Sequence, residues 1–341
     1  SMYQKTRPAQ APETDFPRES ETKISTTRLV ETFSKLCHRA LMAEVSATPK
    51  PGLVDRHDSG AHSDMDFDTF SASSDAIAPW ITKMFEIGLF WQEDRDGRDL
   101  FSAIRPLGVE AEKAMFDATN GINTHKGMIF SMGIVSAIAG FLFAQTHSFN
   151  AEAILETSGL LCRDLIETDF QKMDKKNPRT HGEILYLRFG IKGIRGEVAE
   201  GFPAIRKIAL PSLRRFSDPG LAEQAKKAFT EVYLNGQTGT LSTPDFNPHW
   251  NASRLNTLLS LMASVDDTNV LIRTSPEMLV YEKECAKRIL DLGGAFTKQG
   301  LLELTRLNEE FIRLHLSPGG CADLLAVTIL LHDLENLDLK N

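Results

Sequence analysis

Residues 120–127 read NGINTHKG and stand directly ahead of an apolar, helix-like run. Asn123 or Thr124 is placed to cap that helix. Its first N–H groups, its dipole and Lys126 then converge on one point, which suits an anion and phosphate above all. Capping alone explains Asn-Thr but leaves His125 and Lys126 without a reason. A lysine at the positive end of a helix is mildly unfavourable unless a counter-anion sits there.

Two further polar segments carry groups of the same kind. Residues 48–68, TPKPGLVDRHDSGAHSDMDFD, hold Lys50, two histidines and five aspartates, among them Asp55, Asp64 and Asp66. A segment so long and charged is either a solvated surface loop or one organised around a ligand. Residues 181–203, HGEILYLRFGIKGIRGEVAEGFP, alternate glycines, Arg188, Arg195, Glu183 and Glu197 with apolar anchors, and read as neither a clean helix nor a clean strand. Neither a Walker loop nor a strand followed by G-x-G-x-x-G is present, so a nucleotide would be held by another device. Glu44 and Glu112 fall on apolar helical stripes. Burial there is costly unless the carboxylate is paired, metal-bound or lining a cavity. Asp267 closes a helical stripe and reads equally well as a cap. In SPGGCADLLAVTILLHD, residues 317–333, Ser317 is placed to cap and Asp323 reads as ordinary first-turn dipole placement.

The elements that must position these groups are helical. Leu29, Phe33, Leu36, Cys37, Ala40, Leu41 and Val45 form one stripe, and Phe70, Ile77, Trp80, Ile81, Met84, Phe85 and Leu89 a second. Leu100, Ile104, Leu107, Ala111 and Met115 form a third, and Met128, Met132, Val135, Ile138, Leu142 and Phe143 a fourth. Further helical patterns cover about 151–167, 203–216, 221–234, 253–266, 276–292, 298–315 and 320–335. Alternating apolar runs are nearly absent. The chain therefore reads as all-α, a single multi-helix domain over 24–341 with long functional loops. Residues 235–252 read as an exposed loop. Residues 1–23 are rich in Pro, Glu, Ser and Thr and read as a disordered tail.

The 341 residues carry a net charge of −8 and no concentrated basic tract, which argues against a nucleic-acid partner. No stretch reaches eighteen uninterrupted apolar residues, so no membrane span is expected. Cys37, Cys162, Cys285 and Cys321 are widely spaced with no paired-ligand pattern and read as reduced core thiols of a cytoplasmic protein, not as a disulfide frame or a zinc site. The apolar helices would support a homodimer.

Five segments carry a resemblance, in this order: TPKPGLVDRHDSGAHSDMD, ATNGINTHKGMIFSMG, THGEILYLRFGIKGIRGEVAEGFP, DDTNVLIR and SPGGCADLLAVTILLH. Together they resemble the triphosphoribosyl-dephospho-CoA synthase family across residues 28–335. The resemblance implies an all-α enzyme with ATP and 3'-dephospho-CoA as substrates. The 5-triphosphoribosyl group of ATP would pass to the 2'-hydroxyl of dephospho-CoA, with release of adenine. The product is the prosthetic-group precursor that a separate transferase delivers to the acyl carrier protein of citrate lyase or malonate decarboxylase.

Such a displacement at an anomeric carbon passes through an oxocarbenium-like state. On that implied chemistry, Lys50, Asn123, Thr124, Lys126, Arg188 and Arg195 would contact phosphate. Mg²⁺ is expected, held by Asp55, Asp64 and Asp66, with Glu112 and Asp267 as outer ligands. Glu44, Glu183 and Glu197 are candidates for base or oxocarbenium stabiliser, and His125 for acid to adenine or a phosphate contact. The sequence departs from the family pattern at Cys321, where Ser is usual, and at Thr274-Ser275, where Gly-Gly is usual. Two other readings stay open: a related ribosyltransferase or N-glycosidase with another acceptor, and a non-catalytic helical protein that binds nucleotide or CoA.

Overall fold

A computed structural model describes residues 24–234 and 246–340. The expected tail and most of the expected loop at 235–252 lie outside them. Among the described residues there are fourteen α-helices and no strand, as the helical periodicity predicts.

The first four stripes become α1 (Thr26–Ser46), α2 (Phe67–Leu89), α3 (Leu100–Ala118) and α4 (Lys126–Thr146). Ser25 caps α1, and Asp66 caps α2 through a reciprocal box with Thr69. α4 is buried on almost every side and packs against α2, α3, α5 (Ala151–Gln171) and the last helix, α14 (Gly319–Glu335). Its length and apolar composition would suit a membrane span, yet 78% of that stretch is buried inside the protein. A helix apolar all round belongs in a core, and α4 and α14 both do this. α2 and α4 approach so closely that a Cβ on Gly88 would lie 1.8 Å from the Ala137 carbonyl oxygen, and one on Gly140 2.3 Å from that of Phe85.

The segment at 181–203 resolves into two short helices, α6 (His181–Phe189) and α7 (Gly193–Ala199). Left-handed Gly190 and Gly193 turn the chain between them. A π-turn at Ile205–Ala209 leads into α8 (Leu210–Phe216), and α9 (Ala222–Phe229) runs into a second at Thr230–Leu234. α10 covers Pro248–Met262, starting five residues earlier than the apolar pattern suggests. Asn247 caps it and Pro248 takes the first helical position, so the expected exposed loop ends there. α11 (Thr268–Arg273), α12 (Pro276–Asp291) and α13 (Lys298–Arg313) complete the set. The Thr274-Ser275 departure has a local role, since Ser275 caps α12 through the Met278 N–H.

Residues 47–55 are buried, not solvated. Asn251 of α10 exchanges two hydrogen bonds with the backbone of Thr48, at 2.9 and 2.8 Å. Asn308 of α13 accepts from the Gly52 N–H and donates to Asp58, both at 2.9 Å. At the opposite end of α14, the Arg214 guanidinium of α8 bridges Glu335 and, at 2.6 Å, Glu152 of α5. All four cysteines are free and buried, as expected of core thiols.

Candidate active site

One cavity of about 1350 Å³ opens where the loop after α1, the start of α4, the α6–α7 segment, α11 and the start of α14 meet. Those are the five segments that stand out in the sequence.

At the start of α4 the cap differs from the expected one. His125 occupies the N-cap position, and Asn123 accepts the Lys126 N–H at 3.2 Å. Thr124 instead donates to Ser73 Oγ at 2.6 Å, and Ser73 lies 2.6 Å from His125 Nδ1. With Thr124 donating, Ser73 has one proton to give, and when Nδ1 takes it the neutral ring carries its own proton on Nε2. Nε2 is buried and has no partner among the described residues. Burial, helped by the Lys50 charge, pushes the imidazole down to about 3, so the ring is neutral at physiological pH. In that tautomer His125 presents an uncharged N–H donor at Nε2. Phe70 packs edge-on against the ring at 4.9 Å.

Facing this helix start is Asp323 of α14. Its Oδ2 would lie 2.7 Å from a Cβ at position 127, so only Gly127 leaves room for the carboxylate against the positive end of α4. Burial pushes the Asp323 carboxyl well above the usual range, and the charges of Glu44 and Asp267 add to that. It forms no hydrogen bond or ion pair among the described residues. Glu44, also on the cavity wall, is held by Lys50 Nζ at 2.8 Å, with both side chains buried. Burial pushes the Glu44 carboxyl up while the Lys50 ammonium opposes it.

Asp267 serves two helices at once. It accepts the Asn269 and Val270 N–H groups of its own helix, α11, at 2.9 and 3.4 Å. It also accepts those of Gly320 and Cys321 in α14, at 3.3 and 2.9 Å. Ser317, the expected cap of α14, instead bonds His62 Nε2 at 2.9 Å. The other ring nitrogen of His62 meets Arg273 Nη1 at 3.2 Å. Burial, then the Arg273 charge, pushes this imidazole down to about 4.

From the α6–α7 side come Arg179, Lys192, Arg195 and Lys207, all on the cavity wall. Arg195 sits 3.7 Å from Asp169 and over the Phe130 ring. Glu183 lines the cavity, but one of its oxygens closes a capping box with Thr180 and takes the Arg179 N–H. Glu197 accepts the Ala204 N–H at 2.6 Å, and burial raises its carboxyl to about 7.

The family model described as CitG, ATP:dephospho-CoA triphosphoribosyl transferase, matches residues 30–237 and 217–341. The chain belongs to the ATP:dephospho-CoA triphosphoribosyl transferase family. It is 38% identical to a protein of Photobacterium profundum named probable 2-(5''-triphosphoribosyl)-3'-dephosphocoenzyme-A synthase, over 94% of this chain and 93% of that one. It is 34% identical to the synthase of Escherichia fergusonii, over 91% and 93%, and 36% identical to that of Klebsiella pneumoniae, over 85% and 86%. No solved structure matches. The chain is thus a triphosphoribosyl transferase.

Within this transferase the cavity gathers most of the expected residues: Glu44, Asn123, Thr124, His125 and Lys126 with Asp64, Glu112, Glu183, Arg195, Glu197 and Asp267. Four do not line it. Lys50 is buried against Glu44 and reaches the site only through that partner. Asp55 spends its oxygens inside its own loop, on Thr48, Lys50 and His57. Asp66 is the exposed cap of α2. Arg188 lies over the Phe189 ring on the outer surface of α6. Conversely, Ser73, Arg179, Lys192, Lys207 and Arg273 have clear roles or places here that the sequence did not single out, and Asp323 faces the cavity where the sequence suggested only first-turn dipole placement. The signal for Asp323 was present: an acid on the same apolar helix that opens with Pro-Gly-Gly.

Proposed function

We propose that this cavity transfers the intact 5-triphosphoribosyl group of ATP to the 2'-hydroxyl of 3'-dephospho-CoA and releases adenine. The observation that carries the reading is the meeting, in one cavity, of a cationic set with buried carboxylates and one uncharged imidazole whose Nε2 has no partner among the described residues. Lys126, Arg179, Lys192, Arg195 and Lys207 compensate the triphosphate charge. The relatives' names and the family description support the same substrates.

In the proposed step the bond between C1' and adenine N9 breaks, and its electron pair passes into the base. His125 Nε2–H donates to a ring nitrogen of the departing adenine and stabilises that charge without surrendering its proton. The bond between C1' and the acceptor oxygen forms as the 2'-hydroxyl proton passes to Glu197. A carboxyl near 7 is matched to that task at neutral pH. The proton leaves finally with adenine. Buried carboxylates of the wall, Glu44 among them, favour positive charge on the ribose.

The donor set also fits Mg²⁺. Asp323 is a hard oxygen donor without a partner among the described residues, crowded by the charges of Glu44 and Asp267. Asp323 would hold the ion, with Asp64 and Glu112 on the same cavity wall, and the ion when bound would supply further charge neutralisation for the triphosphate. On this reading the product goes on to a second transferase, for the carrier protein of citrate lyase or malonate decarboxylase.

The test is direct. Protein incubated with ATP, Mg²⁺ and dephospho-CoA should yield free adenine and a heavier CoA derivative by mass spectrometry. Adenine released at the same rate without dephospho-CoA would make the protein an N-glycosidase instead. ATP binding with no adenine under any condition would leave a binding protein.

A further inference from the structure

Behind the cavity wall, Glu282 of α12 is fully buried, and neither of its carboxylate oxygens has a hydrogen-bond partner among the described residues. A buried carboxyl left so is costly, and a native fold keeps one only where something compensates it. Its neighbours show what that is. An oxygen of Glu282, an oxygen of Asp267 and the thiol sulfur of Cys321 all lie within 4.8 Å of one another, and all three residues are buried.

We infer that Asp267, Glu282 and Cys321 form a three-ligand site for a thiophilic divalent cation of the zinc class, separate from any Mg²⁺ carried with the triphosphate. Two carboxylates and one thiolate are a donor set that zinc accepts and that magnesium, which takes oxygen alone, does not favour. Three anionic ligands also answer the charge problem, because a dication replaces both the proton on sulfur and the mutual repulsion of the carboxylates.

The ligands come from three separate places. Asp267 begins α11, Glu282 sits within α12 and Cys321 begins α14. The ion therefore ties together the two helices that Asp267 already caps and a third that packs behind them. Its role is structural: Glu282 and Cys321 lie outside the cavity lining, which Asp267 alone of the three reaches. Among the described residues, Cys37, Cys162 and Cys285 have no such pair of acids within ligand range. One thiol of the four is thus assigned to metal.

Cadmium is a convenient probe, since its thiolate complexes absorb in the ultraviolet. The full chain, stripped with a chelator and folded by circular dichroism, should take up one equivalent of Cd²⁺ with the sulfur-to-metal charge-transfer band. Zn²⁺ should displace that band. Cys321→Ser should abolish it, and Glu282→Gln should weaken Cd²⁺ affinity by about tenfold or more. Absence of the band in the folded wild-type chain overturns the site, as does an undiminished band in Cys321→Ser. Should Cys321→Ser not fold, Glu282→Gln decides: unchanged Cd²⁺ affinity refutes the assignment.

Discussion

Ser73 Oγ of α2 lies 2.6 Å from Nδ1 of His125, and Thr124 donates to the same hydroxyl. A serine that does not line the cavity is thus placed to set which nitrogen of the imidazole proposed to act on adenine carries a proton. Ser73→Ala should lower kcat about tenfold, the worth of one buried hydrogen bond, with KM for ATP nearly unchanged. His125→Ala should cost about 10² or more, as loss of a positioned donor does elsewhere. Adenine release measures both. A nitrogen-15 spectrum of the ring should show Nε2–H in the wild type and a tautomer mixture in Ser73→Ala.

Glu197, the proposed base, should set the pH behaviour. With its carboxyl raised to about 7, kcat/KM should rise with pH through that value as the base ionises. Glu197→Gln should flatten this limb and lower activity about 10²-fold. The same shift has a stability sign. The folded state holds the proton more tightly than the unfolded chain, so this contribution is fully present below about 4.5 and is lost as pH rises through about 7. Denaturation of Glu197→Gln at several pH values should show a smaller decline across that window.

Asp323→Asn removes the carboxylate wedged at Gly127. Turnover should fall by 10² or more, and its response to added Mg²⁺ should weaken, because a neutral amide is a poor ligand for a hard cation. Chelation by EDTA should silence the wild type. Full activity in EDTA would end the magnesium assignment. Gly127→Ala makes a second check, since the added methyl would meet Asp323 Oδ2 at 2.7 Å.

Glu44 and Lys50 are a buried pair at 2.8 Å. Lys50→Met leaves a lone acid in the core and should cost about 3–5 kcal/mol in urea unfolding. The double variant Glu44→Gln/Lys50→Met should recover much of that loss while remaining impaired in turnover.

Lys126 stands exposed at the mouth of the site and holds no ion pair among the described residues. Lys126→Ala should weaken ATP binding about tenfold by calorimetry, the loss of one charge-assisted contact. Unchanged affinity would remove it from the phosphate set.

The helical periodicity read directly as α1 to α4, because a stripe every three or four residues has one physical meaning. The polar octet at 120–127 was legible as part of a site, and its residues 123–127 line the cavity at the start of α4. What sequence could not supply was the partner. Lys50 looked like a phosphate ligand until Glu44, six residues earlier, proved to claim it. Asp55 and Asp66 looked like metal ligands because loop aspartates and turn-forming aspartates are the same residue. Asp323 was set aside for a good local reason, its place in a first turn. Only the approach of α4, some two hundred positions away in the chain, shows that it faces a cavity. Ser73 carried no local signal at all.

Arg214 and α14 have a consequence for the far end of the molecule. The helix is a rigid strut of roughly 25 Å, bolted by Glu335 to α5 and α8 at one tip and carrying Asp323 at the other. Trimming the closing turn would slacken the bolt and let the distant carboxylate drift. Damage to the tail of this chain would therefore register as a loss of chemistry before it registered as a loss of shape.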